Sequence, residues 1–91
     1  MKILQSRSFA KKVKKPNKRE KSQLDDQIRS IIKNPYIGIE KTGDLKGIFV
    51  HKFKLKTIQY ILAYRTIETN LELIMLGPHE NYYRDLKKTI Q

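Results

Sequence analysis

The stretch Gly77-Pro78-His79-Glu80-Asn81-Tyr82-Tyr83 holds the groups in this chain best suited to moving a proton. Imidazole is the one side chain whose ordinary titration falls near neutral pH. His79 follows an apolar run, Leu71 to Leu76, that reads as a strand, and opens a helical stretch that ends in Lys87 and Lys88. At helical spacing, Tyr83 lies four residues on and shares its face, together with Lys87. Tyr82, Leu86 and Ile90 form a separate stripe at i, i+4, i+8, which suits packing more than chemistry. Glu80 could serve as a base, but a carboxylate at a positive helix N-terminus is equally explained as a cap.

A second group of candidates alternates along a strand. Phe49, His51, Phe53 and Leu55 point one way; Ile48, Val50, Lys52 and Lys54 point the other. On the following strand Ile61, Ala63 and Arg65 share a face, while Leu62 and Tyr64 oppose them. If Lys52, Lys54 and Arg65 occupy an uncovered face, they form a cationic floor with His79 at its edge. Cations placed beside a phosphate stabilise the negative charge that builds during transfer, and a histidine or tyrosine moves the proton. Such a set needs no metal. A plain solvated strand face would carry alternating lysines too. His51 has core parity and reads as a core or boundary histidine. No phosphate-cradling glycine loop, paired carboxylates or Ser-His-Asp arrangement is present.

The elements that must hold these groups follow from the local signals. Ile3-Leu4-Gln5 is a weak first strand. Ser6 or Ser8 caps a helix bearing Phe9 and Val13, and Pro16 stops it. Asn17 then caps a second helix, with Glu20 completing a capping box. Its apolar stripe is Leu24, Ile28, Ile31 and Ile32, and Asn34-Pro35 ends it. The joint of this hairpin is basic: Lys11, Lys12, Lys14, Lys15, Lys18, Arg19 and Lys21 meet only Glu20. It suits backbone phosphates of RNA without sequence preference, or is simply a solvated face. Residues 35–47 read as a loop with Gly38, Gly43 and Gly47 at turns. The order β-α-α-β-β-β-α predicts an α+β fold: a small, twisted antiparallel sheet, two helices on one face, and the last helix walling part of the other.

Composition sets the class of partner. Ninety-one residues form a single domain, 1–91, and 20 Lys/Arg against 9 Asp/Glu give net +11. A polyanion is the natural partner, nucleic acid before an acidic protein or a membrane surface. Absence of cysteine excludes disulfides and thiolate metal sites, and two isolated histidines argue against a metal centre. No cofactor is expected. No apolar stretch spans a membrane, and Met1-Lys2-Ile3-Leu4-Gln5 makes a poor signal peptide, so a cytoplasmic protein is expected.

With these residues in order, the chain resembles type II toxins of the RelE/ParE superfamily. The resemblance rests on Ser8-Phe9-Ala10-Lys11, Ile32-Lys33-Asn34-Pro35, Asp44-Leu45-Lys46-Gly47, Ile61-Leu62-Ala63-Tyr64-Arg65 and Gly77 through Arg84. It implies a cognate antitoxin that wraps the toxin and forms an oligomer with it. For the RelE-like branch it implies a ribosome-dependent, metal-independent endoribonuclease. There the 2′-hydroxyl of mRNA attacks the adjacent phosphate and leaves a 2′,3′-cyclic phosphate. The ending Gly77-x-His79-x-x-x-Tyr83 is similar to that of YafQ-like toxins, which assigns proton transfer to His79 and base stacking or orientation to Tyr83. Lys52 and Lys54 correspond to basic strand residues that position the phosphate, with Arg65 nearby and Tyr82, Glu80 and Arg84 as secondary candidates. Two positions depart: Ile61 stands where the RelE-like pattern has arginine, and Asp85 where it has its C-terminal tyrosine. The ParE branch, which inhibits DNA gyrase without nuclease groups, is therefore the alternative, beside a non-toxic remnant that binds antitoxin or RNA.

Overall fold

The hairpin of helices forms where its caps dictate. The computed structural model describes residues 2–14, 16–78 and 81–90, with residues 89 and 90 described by backbone only. Strand β1 (Ile3–Gln5) leads into α1 (Arg7–Lys12), and Ser6 provides the cap. Its Oγ accepts from the Phe9 amide at 3.1 Å and donates to the Ile74 carbonyl, so one hydroxyl ties the helix start to the sheet. Helix α2 (Lys18–Lys33) carries the capping box: Asn17 Oδ1 accepts from the Glu20 amide at 2.9 Å, and Glu20 Oε1 accepts from the Asn17 amide at 3.4 Å. Leu24 and Ile31 are buried from its stripe, whereas Ile32 at its end stays 38% exposed.

The strands are β2 (Ile39–Glu40), β3 (Phe49–Leu55), β4 (Ile58–Ile67) and β5 (Asn70–Pro78), followed by α3 (Tyr82–Ile90). Sheet order is β1-β5-β4-β3-β2. From β2 to β5 the pairing is antiparallel, as expected; β1 adds one parallel pair, Ile3 opposite Leu71. Helices α1 and α2 carry the chain across one face of the sheet, from β1 at one edge to β2 at the other. The segment read as a loop contains β2 and a 3₁₀ turn at Gly43–Leu45. Gly43 and Gly47 do turn the chain, at φ 66 and 87. Gly38 serves a different purpose. Its amide donates to Tyr64 Oη at 3.0 Å while that hydroxyl donates to the Pro35 carbonyl at 2.7 Å. A Cβ there would lie 2.7 Å from Tyr64 Oη and 2.8 Å from the Val50 carbonyl, so only glycine fits the approach.

Each face of the sheet buries its own cluster. Phe9, Leu24 and Ile31 of the helices meet Phe53, Leu55, Leu62, Tyr64, Leu71, Leu73 and Leu76 on one face. On the other, Ile48, Val50, Ile61, Ala63 and Ile74 meet Leu45, Tyr82 and Leu86. Consecutive Ile74 and Met75 both join the second cluster, between Leu73 and Leu76 of the first, because a bulge opposite Ala63 and Tyr64 inserts one extra residue in β5. Among the described residues, no helix is long and apolar enough to cross a membrane.

His51 is the boundary histidine its parity indicated. Its ring stacks near Phe53, with centroids 5.8 Å apart, and its Nε2 lies 2.7 Å from Gln27 Oε1 of α2. Burial lowers its pKa below the usual 6.5. The unfolded chain therefore takes up this proton before the folded one does. His51 contributes stability that is intact above about pH 6.5 and is lost as pH falls from there toward the lowered folded value. Urea midpoints measured from pH 8 to 5 should fall below 6.5 in the wild type. The His51→Gln variant should lack that component; equal pH slopes in both would refute the assignment.

Candidate functional site

The face shared with α3 is only partly covered. Register sets its rows: Lys52 opposes Ile61, which opposes Gly77, and Lys54 opposes Gln59 one row further out. Both lysines are exposed, on the parity of buried Val50. The alternation read from the sequence thus places two ammonium groups side by side, with Gly77 in the same row as Lys52.

Arg65 has the expected parity but a different position. It lies four residues from Ile61, about 13 Å along a strand that rises ~3.3 Å per residue. Its Nε donates to Glu72 Oε1 at 2.6 Å, across the β4–β5 pair. The structure does not gather Arg65 with Lys52 and Lys54.

The C-terminal stretch divides differently from its reading as a helix start. Gly77 and Pro78 complete β5, with Pro78 opposite Tyr60; Asn81 is left-handed at φ 58; and α3 begins only at Tyr82. The described helix therefore starts one residue before Tyr83, later than the reading that put a helix start at the glycine-proline step. His79 and Glu80, like Lys15 of the helical joint, lie outside the described residues.

Tyr82 anchors α3. It is 1% exposed, its hydroxyl donates to the Met75 carbonyl at 2.7 Å, and a Cβ on Gly77 would stand 3.6 Å from its ring. Burial pushes its pKa far above the usual 10, so it holds its proton at all working pH. Tyr82 and Leu86 pack as their spacing indicated; the side chain of Ile90 is outside the description. Tyr83 is half-buried, stands edge-on to Tyr82 at 5.7 Å, and has Lys41 Nζ 4.5 Å from its ring centroid. Lys41 escaped the sequence reading. Its amide donates to the Ile48 carbonyl at 2.9 Å, which seats it on the α3 face beside β3. Nothing local signals a contact between residues so far apart in the chain. Arg84 is exposed, with Nε 3.8 Å from Asp85.

The basic joint of the helices hangs over one end of the sheet. Lys12 and Glu20 line a cavity together with Leu55, Tyr60 and Pro78. Lys11, Lys12, Lys14, Lys18, Arg19 and Lys21 are all exposed there, beside the strand end that carries Lys54. Positive charge thus runs from the joint around the sheet end toward the strand lysines. Such a surface attracts phosphate over a Debye length of roughly 10 Å.

Comparison with known proteins agrees with this architecture. The profile of the family described as ParE-like toxin of type II bacterial toxin–antitoxin system matches residues 3–87. None of the curated proteins compared by sequence matches. Among solved structures, the chain is similar to one in the intact E. coli RelBE toxin–antitoxin complex, at 21% identity, TM-score 0.69, covering 87% of this chain and 96% of that one. A double-arginine mutant of E. coli toxin RelE in the free state gives TM-score 0.69 at 18% identity, over 97% and 90% of the two chains. The isolated E. coli RelE toxin gives 0.66 at 21% identity, over 96% of each.

Proposed function

Because the chain belongs to the family of ParE-like toxins of type II bacterial toxin–antitoxin systems, we propose that it acts as a toxin that cuts mRNA on the ribosome, and that a cognate antitoxin restrains it. What carries the reading is the pair of exposed lysines, Lys52 and Lys54, with Lys52 in register with Gly77, two positions before His79. In the reaction the 2′-hydroxyl loses its proton and its oxygen bonds to the adjacent phosphorus. The bond from phosphorus to the 5′ oxygen breaks, and that oxygen takes up a proton. Lys52 and Lys54 balance the charge gathering on the phosphate. His79 supplies or removes one of the protons, and Tyr83 orients a neighbouring base. The lysines of the helical joint hold ribosomal RNA. Exposed Tyr36, Ile37 and Ile39 beside edge strand β2 give the antitoxin an apolar surface, and net +11 favours an acidic one.

A second reading, gyrase inhibition without nuclease chemistry, draws support from two positions. Ile61 is fully buried where the RelE-like pattern has arginine, and Arg65 is engaged by Glu72. Induction of the protein in cells, with mRNA 5′ ends mapped beside a gyrase supercoiling assay, separates them. Cleavage inside codons with supercoiling intact is the expected result. Lost supercoiling with unbroken mRNA would replace the nuclease reading by the gyrase one.

A further inference from the structure

The cavity at the end of the sheet has a volume of about 350 Å³, within the range of small-ligand sites. Its walls are mostly apolar: Leu55, Leu76 and Pro78 from the strand ends, and the ring of Tyr60, whose far neighbour is Phe53 at 6.5 Å between centroids. Two charged groups enter it from the helices, Lys12 and Glu20. The site lies on the sheet face opposite Lys52 and Lys54, and Pro78 forms the lip between the two faces.

The chemistry of this lining is unusual for so basic a region. Leu55, Leu76 and Pro78 offer nothing to a phosphate, and Glu20 repels one. A flat ring with exocyclic amino groups fits instead. It can stack on Tyr60, as unpaired RNA bases do on aromatic side chains. Its amino group can donate to the Glu20 carboxylate, which offers about four acceptor sites and spends one on the long 3.4 Å capping contact. Lys12 and the neighbouring joint lysines then face the phosphates on either side. We infer that this cavity is a nucleobase pocket, taking an unpaired base of the bound strand where it passes round the Pro78 lip from the scissile phosphate, and favouring adenine, cytosine or guanine over uracil, which lacks an amino group. The inference rests on the RNA-cutting reading and extends it to base preference.

The test uses the full chain, isotope-labelled for amide NMR, titrated at low salt with 2′-O-methylated tetranucleotides of A, C or U. Methylation removes the nucleophile, so binding is read without cleavage. Amide signals of Leu55, Tyr60, Leu76 and Gly77 should move, and the A and C oligomers should bind at least threefold tighter than U. Tyr60→Leu, which keeps apolar bulk and hence the fold, should weaken A and C binding about tenfold. Glu20→Gln, which can still close a capping box, should shrink the preference over U. Binding that moves only the amides around Lys52 and Lys54, or that Tyr60→Leu leaves unchanged, would overturn the pocket while leaving RNA as the substrate. No signal moving at millimolar oligomer would overturn the pocket and the RNA reading together.

Discussion

His79→Ala is expected to slow mRNA cleavage on ribosomes by about 10²- to 10⁴-fold, the usual contribution of a positioned acid or base. Growth arrest on induction should disappear with it. Stability is expected to change little, because described anchors hold the chain on both sides of the position. Gly77 and Pro78 are held in β5 by pairing with Ile61 and Tyr60, and α3 is held by the Tyr82 hydroxyl on the Met75 carbonyl. Thermal melting and antitoxin capture should therefore match the wild type. His79→Gln gives the sharper control: an amide keeps hydrogen-bonding capacity but cannot shuttle a proton at neutral pH. If Gln restores cleavage to the wild-type rate, the side chain positions RNA and does not transfer protons. If Ala itself cuts at the wild-type rate, proton transfer belongs to another residue.

What could be read from the sequence was whatever is encoded locally. The capping box at Asn17 and Glu20 and the stop at Asn34-Pro35 are contained within one or two turns, and both stand where expected. The alternation from Phe49 to Leu55 assigned His51 to the helical face and Lys52 and Lys54 to the other, because a paired strand has no third option. Residues 35–47 were harder. A two-residue strand has no period to detect, and β2 is set by the Lys41 amide on Ile48 and by the Tyr64 hydroxyl holding Pro35 and Gly38. Ile48 lies just ahead of β3 and Tyr64 lies in β4, so both partners stand outside the segment.

The site was legible to the same extent. The lysine pair follows from parity alone. Arg65 followed from parity as well, but parity says nothing of distance along a strand or of Glu72 opposite. The pairing of positions 79 and 83 assumed that the helix starts at the glycine-proline step. Tertiary pairing of Pro78 with Tyr60 extends the strand past it, and the left-handed Asn81 resets the chain before α3. Tyr83 consequently packs against the second cluster and Lys41, a contact that no local pattern announces.

Replacing Lys52 and Lys54 together by alanine should lower the rate of cleavage at saturating ribosomes by about 10²- to 10³-fold, the scale of losing groups that stabilise transition-state charge. Each single variant should lose less, since the remaining ammonium still faces the phosphate. Both side chains are exposed, so the effect on stability should stay within about 0.5 kcal/mol. In a chain of net +11 the double variant also relieves self-repulsion. The joint lysines should behave differently. Alanine at Lys11, Lys12 and Lys18 removes phosphate contacts that act equally in ground and transition states. It should therefore raise the ribosome concentration needed for half-maximal cleavage and flatten its salt dependence, while the saturated rate stays put. Comparing the triple variant with the double one divides binding from chemistry. If the Lys52/Lys54 variant instead reproduces the joint phenotype, with a wild-type saturated rate, the strand lysines only attract RNA. The scissile phosphate must then be balanced by other cations of the chain.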